Sequence, residues 1–388
     1  MAAVSVLVLR RPEAVVRPQF FAESAPVFYV PTYFHDPLTL IATPYAGYLH
    51  LIPRLSAYVE RLVDPYWAPV IGSILSFLVV VAIAAFLASG RMSAVLPHKW
   101  QRLAVGGMIL LSPSVYEVLG VEVNLQVYLA AYLAALSVAR PATSRLGEIG
   151  DLIGAAASSL SGPFAVLLAP LFWLRRDRLA AAVGVCAGVQ LIAILNSPQR
   201  AFGIPSLSAV IDVTLLRVNA AVLGPSVALL VPAWVALGLG AMCVLVAFRV
   251  PRKRAWMALG YGAIVVAIGG LATDGAALAI NPRWGERFFL LPSVTVAALV
   301  STGVAGTDRV AMVCARILGV LLVIGVLIDF RVPAFADAKW RVDHDCIGRL
   351  EPCFVRGYPD AFTFRWPGRD GEYPLVTRRW VETPVDQR

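Results

Sequence analysis

The side chains best equipped for chemistry sit early in the chain, between residues 20 and 66. Glu23 and Asp36 are carboxylates near the start of a stretch rich in aromatic and apolar residues, and Tyr45, Tyr48, His50 and Arg54 follow closely. A carboxylate held near a hydroxyl can take its proton during attack. A guanidinium presents a planar fork to phosphate oxygens and stabilises charge on a departing phosphate. The expected roles are Glu23 as general base, with Asp36 as the alternate, and Arg54, Arg283 and Arg287 on a phosphate. Tyr45, Tyr48, His50, Glu122, Asn124 and Gln126 are the expected substrate contacts. Each has a plainer reading, since arginines near helix ends snorkel towards headgroups and interfacial aromatics simply pack. Glu23, Asp36, Glu117 and Glu122 could gather round a divalent cation, although no ligand spacing demands one.

The elements that must position these groups follow from composition. Of 388 residues, 59% are hydrophobic and only 15% charged, against about 45–50% and 25% in soluble domains. That excludes a soluble enzyme and a disordered chain, and it leaves a polytopic membrane protein. Apolar stretches near the length that crosses a bilayer fall at 68–88, 103–119, 124–139, 179–195, 223–247, 256–273, 287–305 and 310–329. The stretch 149–174 carries Ser161-Gly162-Pro163 in its middle and reads as two short helices, 149–161 and 163–174. The expected fold is all-α, a transmembrane bundle of about ten spans.

Charge sets the expected orientation. The net charge of +9 is concentrated in short loops, such as Arg175-Arg176 and the run around Arg252-Lys253-Arg254. Such loops are cytoplasmic by the positive-inside rule. Segments 20–66, 112–123, 196–222, 274–286 and 330–388 then fall on the other face. Three regions result: an N-terminal segment with a first loop (1–66), the helical domain (67–329) and a polar tail (330–388). Leu51, Leu55, Tyr58, Val59 and Leu62 recur at helical spacing, which predicts a helix along the membrane interface. Residues 1–9 are apolar but too short to cross, and the expectation is that the natural chain begins further upstream or that a first helix has been lost. Cys346 and Cys353 in the tail suit a disulfide in an oxidising exterior. Cys186, Cys243 and Cys314 lie in apolar helices as small core residues. No basic stripe with interleaved aromatics points to nucleic acid.

Several short runs, taken in order, resemble one family of bacterial membrane proteins. These are Phe20-Phe21-Ala22-Glu23, Tyr45-Ala46-Gly47-Tyr48, Pro53-Arg54-Leu55, Asn124-Leu125-Gln126, Ser161-Gly162-Pro163-Phe164 and Glu286-Arg287-Phe288-Phe289 with Pro292. The family looks like a branch of the GT-C glycosyltransferase superfamily. The resemblance implies a polyprenyl-phosphate-sugar donor, inversion at the anomeric carbon, and an acidic base in the first extracytoplasmic loop. The family reads Glu-Asp-Gly where this chain has Glu23-Ser24-Ala25. If the family's acid at that position is the base, its work here falls to Glu23 or Asp36.

The resulting expectation is a glycosyltransferase of a bacterial cytoplasmic membrane, active on its extracytoplasmic face. It would move a sugar from a polyprenyl-phosphate donor to a glycan or lipid acceptor. The competing expectations are a transporter or lipid-sugar flippase, which would show broken helices and midplane binding groups, and an inactive relative of the transferases.

Overall fold

The computed structural model describes residues 2–173, 175–197, 207–251, 253–274, 285–359, 362–369 and 371–373. The fold is all-α apart from one small ribbon. The principal helices are α1 (Ala2–Arg10), α2 (Leu51–Glu60), α3 (Ala68–Ala88), α4 (Lys99–Leu111), α5 (Gln126–Val138), α6 (Arg145–Ser159) and α7 (Phe164–Phe172). They continue as α8 (Arg178–Asn196), α9 (Leu207–Leu223), α10 (Ala233–Arg249), α11 (Lys253–Asp274), α12 (Leu290–Val304), α13 (Arg309–Ile328) and α14 (Trp340–Arg349).

Local chemistry explains where the helices begin. Ser144, Asp177 and Asp308 cap α6, α8 and α13 by accepting the backbone N–H of Gly147, Ala180 and Ala311. Pro69 sits in the first turn of α3, where its missing N–H costs nothing. Among the described residues, four helical stretches are long and apolar enough to cross a membrane: Ala68–Ala94, Arg178–Asn196, Glu286–Val304 and Arg309–Ile328. Their outward faces are apolar, with Ile192 and Leu195 on α8 and Val320, Val323 and Leu327 on α13 exposed. A stable fold that turns such faces outward is that of a helical membrane protein. Small residues let the backbones close up: a Cβ on Gly106 of α4 would lie 2.6 Å from the Ala84 carbonyl of α3.

Two departures from the hydropathy reading have local causes. The expected span 223–247 is displaced to α10, because Gly224 adopts a positive φ and Pro225 and Pro232 interrupt the helix. Residues 207–223, expected in an outer segment, form α9. The break between α6 and α7 falls at 160–163, where Ser161-Gly162-Pro163 predicts it.

Polar ties mark two ends of the bundle. At one, Arg91 makes a two-pronged pair with Asp151 and donates to the Arg140 carbonyl. Arg175 donates to the Leu136 carbonyl, and Arg249 pairs with Asp308 at 2.9 Å. At the other, residues 11–66 and 112–124 meet the tail. The tail forms α14 and an antiparallel ribbon of β1 (Cys353–Val355) and β2 (Phe364–Trp366), and Cys346 and Cys353 are joined in a disulfide. It is not a separate unit. Phe20, Tyr29 and Val30 of the first loop share one core with Trp340, Val355 and Trp366. The Trp340 indole donates to the Pro65 carbonyl at 3.1 Å. Arg10, wholly buried, donates to the carbonyls of Leu110, Ser112 and Phe330, tying α1 to the ends of α4 and α13.

Candidate functional site

The first loop gathers five of the expected residues, Glu23, Tyr45, Tyr48, His50 and Arg54, into one cluster. The Tyr45 hydroxyl donates to Glu23 Oε1 at 3.1 Å. His50 stacks on Tyr48 with centroids 4.4 Å apart and leans on Phe28 at 5.2 Å. Arg54 is buried, lies 4.7 Å above the Phe28 ring and donates to the Val27 carbonyl. Burial lowers its guanidinium to about 10, so it stays charged at neutral pH. The cluster is bolted to the bundle through backbone. Gln190 of α8 both accepts from Leu49 N and donates to Leu49 O. Leu51 N donates to the Leu160 carbonyl, and Ile52 N to Ser161 Oγ. The break between α6 and α7 therefore serves as an anchor for this loop.

A second set lies on the neighbouring turns. Glu117 Oε2 accepts the Gly285 N–H at 2.8 Å, and Glu117 pairs with Arg287 at 3.6 Å. Asn124 donates to the Glu117 carbonyl, which ties the start of α5 to that pair. Glu286 accepts the Tyr116 N–H at 2.8 Å. Gln126 presses against Gly162, where an added Cβ would lie 2.9 Å from Gln126 Oε1. Val121 and Val123 pack with Phe21, Val27 and Phe28, so this set and the first-loop cluster share one apolar layer.

Between them lies a group that the sequence did not single out as a pair. Glu60 and Glu122 are 1% and 5% exposed and converge on Gly72 of α3. A Cβ there would sit 2.6 Å from Glu60 Oε1 and 3.2 Å from Glu122 Oε2. Ser24 stands beside Glu122. Burial, and next the charge of Glu122, raise the Glu60 carboxyl well above its ordinary value. Glu122 also lines a cavity of about 80 Å³ with Arg11, Glu13, Phe21, Phe335 and Asp337.

The remaining expected residues divide. Asp36 is exposed and caps a short turn, accepting from Thr39 N and Thr39 Oγ1, so its carboxylate is engaged away from the cluster. Arg287 is held by Glu117. Arg283 lies outside the described residues. Among the described residues no three His, Cys, Asp or Glu side chains come together as a metal site. Three features were missed: Glu60, Arg11 and Arg217, the last buried above the Phe289 ring at 5.2 Å. Glu60 and Arg217 each sit in helical runs with apolar neighbours on the next turn, which is the signal that could have marked them.

Neither family models, curated sequences nor solved structures yielded a match to this chain.

Proposed function

We propose that the protein is a membrane-embedded glycosyltransferase of the GT-C-like kind, using a polyprenyl-phosphate sugar. Its bundle crosses a bacterial cytoplasmic membrane about ten times, with the basic end cytoplasmic and the disulfide-bearing cap outside. The observation that carries the reading is the gathering of Glu23, Tyr45, His50 and Arg54 on one loop docked against the bundle. An acid hydrogen-bonded to a hydroxyl, with a buried cation close by, suits proton removal from an acceptor and charge stabilisation at a phosphate. Glu23 is the base in this reading, and Arg54 with Arg287 meets the donor phosphate. Arg287 would exchange Glu117 for that phosphate when donor binds.

The helix break at Ser161-Gly162-Pro163 favours the second reading, a flippase without transfer chemistry. Donor turnover separates the two. Purified protein in lipid is given polyprenyl-phosphate sugars as donor and glycans and lipids from the same bacterial membranes as acceptor, and free polyprenyl phosphate is measured. The transferase reading expects its release, and at least about 100-fold less with Glu23→Gln, as loss of a general base entails. Unchanged release in Glu23→Gln removes Glu23 from the role.

A further inference from the structure

Glu60 and Glu122 come from different elements, α2 and the turn before α5, yet their carboxylates meet over the one residue of α3 that lacks a side chain. A Cβ at position 72 would displace Glu60. Both acids are more than nine-tenths buried, and one oxygen of each, Oε1, has no hydrogen-bond partner. The Ser24 hydroxyl is likewise buried without an aligned partner.

Among the described residues neither acid has an ion-pair partner. Arg54 and Arg61, on and just after α2, donate to the carbonyls of Val27 and Thr32. Helix α3 has no ionisable residue along its length. Glu117, on the turn that leads to Glu122, is held by Gly285 and Arg287. Tyr29 and Asp64 face the same region and carry no positive charge. On the cavity side Arg11 lies over the Phe335 ring at 3.6 Å and donates to the carbonyls of Tyr116 and Leu119. Its Nη2, Glu13 Oε2 and Glu122 Oε1 are buried and unbonded around that cavity. Buried polar atoms are left unpaired only rarely, and several at one cavity mark a place for water or ligand hydroxyls.

Two carboxylates this close in a dry setting do not both ionise. We propose that Glu60 and Glu122 form a second acid–base site, in which the pair holds one proton in common and Glu122 exchanges it with a hydroxyl group in the adjoining cavity. In the exchange, the Glu122 O–H bond breaks as its proton passes to the hydroxyl oxygen, while the hydroxyl's own O–H bond breaks and that proton passes to the carboxylate oxygen of the pair, so the pair keeps one proton throughout and the hydroxyl stays neutral. Glu122 is the exchanging group, and Glu60 is a positioning residue that raises its hold on the proton. The proposal does not rest on sugar transfer, because the proton can be read without substrate.

The test is infrared spectroscopy of the full chain in lipid nanodiscs, in H2O and D2O, from about pH 5 to pH 9. The double variant Glu60→Gln/Glu122→Gln assigns the bands. The expected result is one protonated carboxyl at neutral pH that shifts in D2O and vanishes in the double variant. In either single Gln variant, the remaining carboxyl should lose at least about tenfold in proton affinity, as coupled sites do. If a Gln variant does not fold, Glu122→Asp withdraws the oxygen by one methylene and should weaken the coupling in the same direction. Absence of any protonated carboxyl at neutral pH overturns the proposal and points to a bound cation. So does a remaining carboxyl whose titration ignores the loss of its partner, because the acids are then independent.

Discussion

At the scale of the residue, Glu60 makes stability depend on pH in a direction opposite to a salt-bridged acid. Its folded carboxyl holds the proton above the ordinary value of 4.5. Below that value, folded and unfolded chains are both protonated and the contribution is complete. As pH rises past it, the unfolded chain ionises while the folded chain keeps its proton, so stability falls until the folded midpoint is passed. Glu60→Gln should flatten this slope and raise stability at neutral pH. Thermal unfolding in detergent across that range checks it, and an equally steep decline in the variant would refute it. The first-loop residues were legible because Tyr45, Tyr48, His50 and Arg54 lie in one short run. The Glu60–Glu122 pair was not, because its partners are far apart in sequence. Helix α2 hid Glu60 further. Its larger apolar residues Leu55 and Val59 face outward, with Leu62 just beyond it 82% exposed, while Arg54, Ser56, Ala57 and Glu60 face the protein. A helix at a membrane interface reverses the usual burial pattern in this way.

At the scale of the element, close helix contacts predict unequal effects from one substitution. Gly106→Ala places a Cβ against the Ala84 carbonyl, so α3 and α4 must separate, at a cost of about 1–3 kcal/mol. Gly107→Ala, next to it, meets nothing within 4 Å and should stabilise α4 by about 0.5–1 kcal/mol, the helix preference for Ala over Gly. Equal effects at the two positions would contradict the packing described. The Cys346–Cys353 disulfide closes a short loop beneath the ribbon. Reducing it, or Cys346→Ser, should cost about 2–3 kcal/mol by loop entropy. That loss should appear as earlier proteolysis in residues 330–373, with the bundle unaffected. Hydropathy located most helices because an apolar run needs no partner to be recognised. It misplaced α10, whose start is set by the Gly224, Pro225 and Pro232 turns rather than by apolarity.

At the scale of the molecule, the two ends of the bundle use charge differently. Arg91, Arg175 and Arg249 tie the loops at one end and pair with Asp151, Asp177 and Asp308, whereas Glu23, Glu60, Glu117 and Glu122 lie with the buried Arg10, Arg11 and Arg54 at the end that meets the tail. The breaks that carry Arg91, Arg175 and Arg249 were visible in sequence as short polar gaps between apolar runs. The joining of tail and first loop was not, because their shared core draws aromatic residues from opposite ends of the chain, Phe20 and Tyr29 with Trp340 and Trp366. The cap makes a roof over this end, where Phe335 and Asp337 line the same cavity as Glu122 and Phe335 and Tyr358 pack against the layer of Phe21 and Phe28.

The central claim is that this roofed end breaks a sugar–phosphate bond. The most direct measurement follows a polyprenyl-phosphate sugar labelled in both the sugar and the lipid, with protein reconstituted in sealed vesicles that also carry glycan and lipid acceptors from bacterial membranes. The account predicts that the two labels part company, with free polyprenyl phosphate accumulating on the face that carries the cap, and that Glu23→Gln abolishes the separation. Donor that crosses the bilayer with both labels still joined would contradict it and establish transport instead.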